Sequence, residues 1–165
     1  MPSTFFDAVK ITAGKFTPVS GTAQDLGCTG SLSGETDVKT VTKICEGVPV
    51  KEVAKPQFMT LTFSGHLYVE AYRAMFGLAA DATIATQFEY GTASKSPMGS
   101  FEWTVENLEG TQRKKIVFPN AVVNTGFAFS HENGLEEIAE VEVTIKAMPD
   151  ATGVIYHETI AAVTP

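Results

Sequence analysis

Three histidines, two cysteines and a handful of closely spaced glutamates are the side chains of this sequence with the types and spacing for chemistry. His66, His131 and His157 lie far apart and no HExxH is present, so a zinc hydrolase is not indicated. Glu102 with Glu106, and Glu140 with Glu142, could in principle act as acid and nucleophile on a glycoside. Both pairs fall in runs that alternate apolar and polar residues, however, where glutamates on the solvent side are ordinarily the wet face of a strand. Cys28 and Cys45 lack CxxC spacing, which favours two reduced, packed, small apolar side chains over a disulfide or metal site. Gly27, Gly30 and Gly34 invite a phosphate-binding loop, but no Gly-Lys-Ser/Thr follows and no helix opens there. Arg113, Lys114 and Lys115 are the one basic cluster, read as a solvated strand end or as a docking patch for a neighbour's acids. No catalytic, cofactor-binding or metal-ligating set is assigned, and the chain is expected not to be an enzyme.

The elements that would position these residues are mostly strands. One helix is expected over 64–78, with Ser64 as N-cap and Gly77 as left-handed C-cap. Leu67, Ala71, Ala74, Met75 and Leu78 form its apolar stripe, with Val69, Tyr72 and Phe76 beside it. So apolar a helix needs a sheet beneath it. Before it, Phe5 to Val19 predicts two short strands around Gly14, an N-terminal hairpin. The stretch 20–35 reads as loop, and Gln57 to Ser64 as an alternating strand. After the helix, strands are expected through Ile84–Tyr90, Phe101–Glu106, Ile116–Phe118, Ala121–Ser130 with a bulge at Gly126, and Glu137–Ala147. Turns are expected at Asn107–Gly110, His131–Gly134 and Asp150–Gly153. The segment Gly153–Val163 should form a last strand antiparallel to the one before. About eight strands and one helix make a mainly β (α+β) fold, an antiparallel β-sandwich or partly open barrel.

Residues 36–55 do not fit such a core. Glu35, Asp37, Lys39, Lys43, Glu46, Lys51, Glu52 and Lys55 are spread among Val38, Val41, Ile44, Val48, Val50 and Val53, so neither face is cleanly apolar. With a turn at Gly47 this would be a protruding arm: a solvated flap, or a surface that pairs with another subunit.

At 165 residues the chain is read as a single domain over 1–165, able to bury about 70% of its unfolded surface. Its first residues lack the basic and apolar regions of a signal peptide, which leads to the expectation of a cytoplasmic protein with no membrane segment. The formal charge of −7 is uneven: residues 1–100 hold nine acids and eight bases, residues 101–165 ten acids and four bases. Such a balance opposes direct binding of nucleic acid, which requires bases against phosphates.

The order of parts resembles the major tail (tail tube) proteins of long-tailed, non-contractile phages that infect Gram-positive bacteria. The likeness rests on the Gly-rich loop, the charged stretch EGVPVKEVAKPQFMTLTFSGHL, the helix VEAYRAMFGL and an antiparallel series closed by two long strands. The resemblance implies a structural virion protein that self-assembles into stacked hexameric rings, each donating strands to an inner β-barrel through which the genome is ejected. It implies a helix packed on the flank through Leu67, Ala71, Ala74, Met75 and Leu78, and an inter-ring arm carrying Asp37, Lys39, Val41, Lys43, Ile44, Val50 and Lys51. Glu102, Glu106, Glu140 and Glu142 would then place acid along the lumen. Six copies would carry about −42 per ring, a field that keeps transiting DNA from adhering. Partners by resemblance are further copies and the tape measure, distal tail and terminator proteins, with no cofactor, in the virion tail after assembly in the host cytoplasm. Many members carry a further immunoglobulin-like domain at the C-terminus that has no counterpart in these residues, so a minimal tube subunit is implied. Two rivals stand beside this reading: the inner tube of a contractile tail or injection machine, and a carbohydrate-binding β-sandwich.

Overall fold

The computed structural model of the chain describes residues 6–129 and 140–163. In chain order the described elements are β1 (Ala8–Pro18), β2 (Gln24–Asp25), β3 (Gly27–Cys45), β4 (Val48–Leu67), α1 (Val69–Phe76), β5 (Ala79–Ala80), β6 (Phe88–Glu89), β7 (Gly99–Asn107), β8 (Gln112–Val123), β9 (Val141–Ala147) and β10 (His157–Ala162). The main antiparallel sheet runs β2-β1-β7-β8-β9-β4-β3, and β10 lies on the first half of β8. β5 and β6 pair separately. β1 touches β3 although the two are far apart in strand order, so the sheet is rolled yet remains open. The Leu26 amide donates to the Gly14 carbonyl at 2.9 Å across that seam.

Strict alternation builds the core. Phe101, Trp103 and Val105 of β7 are buried, between Phe16 of β1 on one side and Phe118, Ala121 and Val123 of β8 on the other. Val143, Ile145 and Ala147 of β9 and Leu61 and Phe63 of β4 complete the layer, and α1 closes it with Ala71, Met75 and Phe76. Trp103 is the hub, stacked on Phe101 at 5.8 Å between centroids and meeting the edge of Phe63 at 5.3 Å. Its indole N–H donates to Thr29 Oγ1 at 3.3 Å, which satisfies the one polar atom of a fully buried ring.

Several expected boundaries differ, each for a physical reason. The N-terminal hairpin is a single strand, β1, paired along its length with β7. Gly14 is a notch rather than a break: it stands opposite Trp103, and a Cβ there would lie 2.8 Å from the indole nitrogen. The expected loop 20–35 is largely strand, because Gly27 to Glu35 pair with Leu67 to Thr60 of β4. Small residues permit this approach, since a Cβ on Gly65 would stand 2.1 Å from the Cys28 carbonyl oxygen. That same pairing delays the helix. β4 runs on to Leu67, the Ser64 hydroxyl bonds Ser31 Oγ at 2.8 Å instead of capping, and α1 begins after Tyr68, which has no side-chain cap. At the other end Gly77 is left-handed (φ 69°) and its amide donates to the Arg73 carbonyl.

Downstream, residues 84–90 contribute only the short β6, and 124–129 leave the sheet instead of bulging within it. β8 joins the two strands expected around Pro119 into one. β10 pairs with β8, not with β9. The Asp150–Gly153 turn forms as expected, with the Asp150 carboxylate accepting from the amides of Thr152 and Val154. The expected turn at His131–Gly134 lies outside the described residues, as do Phe5, Ser130 and residues 137–139 of the strand seen here from Val141.

Candidate functional site: a free two-stranded arm and a polar sheet face

Beyond Asp37 and Phe58 the β3–β4 hairpin leaves the body of the protein. Every residue from 36 to 55 is exposed except Val53, which is half-buried. The two strands stay paired out to Cys45 and Val48. They are joined by Glu46 (φ 53°) and Gly47 (φ 79°), two successive left-handed residues of the kind that match the twist of a hairpin. Ile44, Val48 and Val50 keep 63%, 61% and 58% of their surface in solvent. At the root, the Lys146 ammonium sits 3.9 Å over the ring of Phe58, and Gln57, Met148 and Pro149 shape a shallow recess beside Asp37, Val38 and Lys39.

Register sorts the arm's charges. Lys39 stands opposite Lys55 and Lys43 opposite Lys51, with Val41 opposite Val53 between them, so these six residues share one face. Thr40 faces Ala54 and Thr42 faces Glu52 on the other side. Sequence order alone suggests mixed charge throughout; the fold gathers the lysines. Lys55 belongs to this group although it was not among the arm residues singled out from sequence. Counting outward from the Glu46–Gly47 turn would have set Lys39 against Ala54; a register shift between Ile44 and Lys43 brings Lys55 opposite Lys39.

The outer face of the sheet is polar but not uniformly acidic. Glu102 and Glu106 lie on the solvent side of β7, where Lys115 of β8 reaches Glu102 at 2.9 Å and Arg113 reaches Glu106 at 3.1 Å. The basic cluster is therefore chiefly the complement of its own neighbour strand, brought into register by the turn at 107–110. The Glu106-turn-Arg113 spacing carries that signal in the sequence. Lys114 alternates to the other side and meets Glu158 at 3.2 Å. Glu158 also accepts a hydrogen bond from the Tyr156 hydroxyl. Burial first, and then this carboxylate, push the Tyr156 phenol up to about 12. Glu158 is lowered in turn by the hydrogen bonds from Tyr156 and Lys114. Glu142 is exposed opposite Ser64, whereas Glu140 precedes β9 and lies 3.9 Å from His66 Nε2. The structure thus does not gather the four glutamates into one acidic site.

On the flank of α1, Ala71 and Met75 are buried, and Ala74 and Leu78 pack against the core, as does Leu67 from the end of β4. Phe127, just past β8, was overlooked. Its ring packs on Tyr72, Phe76 and Tyr90 at 5.7, 5.5 and 5.4 Å, and its amide donates to the Tyr90 hydroxyl at 3.2 Å. The Arg73 guanidinium stacks 3.7 Å from the ring centre of Phe88. Cys28 and Cys45 are free and exposed, contrary to the expectation of packed side chains, because both lie on β3 at the margin of the sheet. Among the described residues no group of three or more His, Cys, Asp or Glu side chains could hold a metal ion, and no helix is long and apolar enough to cross a membrane.

No protein-family model matches the chain, and no curated protein matches it. Among solved structures it is similar to the tube-terminating cap of the anti-feeding prophage, determined by cryo-electron microscopy. The two share 16% identity at a TM-score of 0.43, over 91% of this chain and 88% of that one.

Proposed function

We propose that this chain is a structural subunit that assembles with copies of itself into stacked rings of a phage-type tail tube, the conduit for a genome. The observation that carries the reading is the arm. A paired hairpin of about ten residues per strand, extending roughly 33 Å, buries almost nothing against its own body and exposes valines and an isoleucine along it. Such surface costs free energy in isolation and is retained where another surface covers it.

Two further features support the reading. The rolled sheet has open margins at β3 and at β2–β1, which lateral pairing between copies would close into a continuous barrel. Its outer face is lined by the short polar side chains of Thr60, Thr62, Ser64, Thr104 and Thr144, with Glu142 and Lys146 among them, a surface suited to a wet channel wall. With Glu102 and Glu106 neutralised in place, that wall would be slippery through hydration and small size more than through a strong negative field.

Electron microscopy of the purified protein over a range of concentrations tests this. Hollow tubes or six-fold rings are the expected outcome. A compact monomer at every concentration would overturn the proposal, and a soluble monomer that binds a polysaccharide would replace it with the carbohydrate-binding reading.

A further inference from the structure

Resting on the tube reading and deepening it, we infer that the lysine face of the arm docks electrostatically on exposed carboxylates of a second copy of this chain. Lys39/Lys55 and Lys43/Lys51 are directly opposed like-charge pairs. Cβ atoms so placed stand about 5 Å apart, and such pairs destabilise an isolated hairpin. The two pairs are four residues apart along the strands, about 13 Å. Together they form a rectangle of four ammonium groups around Val41 and Val53. Among the described residues none of the four lysines makes an ion pair, whereas Lys114, Lys115 and Arg113 in the body all do. The arm's own acids are no remedy: Glu52 is on the opposite face, Glu46 is in the turn, and Asp37 is at the root.

The charge balance identifies the complement. Residues 36–55 hold four lysines and three acids, while the rest of the chain holds sixteen acids and eight bases. Exposed carboxylates in that remainder include Glu35, Glu70, Glu89 and Glu142, none of them in an ion pair among the described residues. A basic face on a short arm and an acidic body on the same chain attract one another only between copies, since the arm points away from its own body. The central valines favour protein over nucleic acid: an apolar pair ringed by charges matches the dry centre and polar rim of a protein interface, and contributes nothing against phosphates.

The test is the quadruple variant Lys39→Gln, Lys43→Gln, Lys51→Gln, Lys55→Gln, with the milder Lys43→Gln, Lys51→Gln variant beside it. Self-association is measured by sedimentation and electron microscopy across a salt series, and the fold is checked by circular dichroism. Wild-type association should weaken as salt rises. The quadruple variant should keep its fold, associate at least tenfold more weakly at low salt, and lose the salt dependence, with the double variant between. A quadruple variant that assembles like wild type overturns this inference and leaves the tube reading standing. Wild type that never associates overturns both. Lysine-dependent binding of duplex DNA, with assembly unchanged in the variant, overturns it in favour of a nucleic-acid surface.

Discussion

At the residue scale the most exacting position is Gly14. Its missing side chain is the space into which the Trp103 indole fits, so Gly14→Ala must displace a fully buried ring held from three sides. Overpacking of this kind costs about 1–3 kcal/mol, and the midpoint of urea unfolding should fall accordingly. The Tyr156, Glu158 and Lys114 cluster yields a prediction in pH. The Tyr156 phenol is raised from about 10 to about 12, so the neutral form is favoured by folding. Its contribution is therefore full below pH 10 and fades as pH rises through 12; the lowered Glu158 acts in reverse and loses its contribution as pH falls through its folded value. Ultraviolet titration of the native protein should show the Tyr156 phenol ionising late. Glu158→Gln should bring it part of the way back, since burial, the larger cause, remains. Neither position could be weighted from sequence: Gly14 looks like a strand breaker until the cross-strand register sets it against Trp103.

At the element scale, what was legible tracked the clarity of alternation. Phe101 to Glu106 and Val141 to Ala147 were readable because one face is fully buried and the other wet. The arm was readable for the opposite reason, a β-prone segment with no clean face. The start of the helix was not, because Ser64 is a good cap in local terms and lost only to pairing with a strand more than thirty residues away. Nor was β3, since Gly and Ser signal loop locally and become strand residues only when a partner backbone must come close. Replacing residues 38–56 by a short turn should leave the thermal unfolding of the body within a few degrees of wild type, because no core residue is lost. The same variant should abolish self-association, as sedimentation would show. Loss of the near-ultraviolet Trp103 signal would mean that the arm supports the body after all.

At the scale of the whole molecule, the sheet is open, with one face covered by the core and α1 and the other polar, a form that suits the wall segment proposed above. On the proposed tube assembly, association should be steeply concentration-dependent, and wild type mixed with arm-truncated chain should give shorter tubes in proportion to the truncated fraction, measurable by electron microscopy. Tube lengths unaffected by the truncated chain would place the contacts between rings elsewhere. The composition hinted at this scale through the charge deficit of the C-terminal third; the ion pairs of Glu102, Glu106 and Glu158 lie within that third and leave its net charge unchanged, but they decide which acids stay unpaired, which a count along the chain could not reveal.

One strand, β4, passes without interruption from the tip of the arm to the edge of α1, twenty residues and about 65 Å long, with Leu61 and Phe63 anchored in the core. A pull on the tip is therefore divided between the two joined strands and delivered along their axes into the body, where the hydrogen bonds from β4 to β9 lie across the line of force and share it. The hairpin is in this sense a tether loaded in shear, a geometry that resists tension by parting many bonds at once instead of one after another.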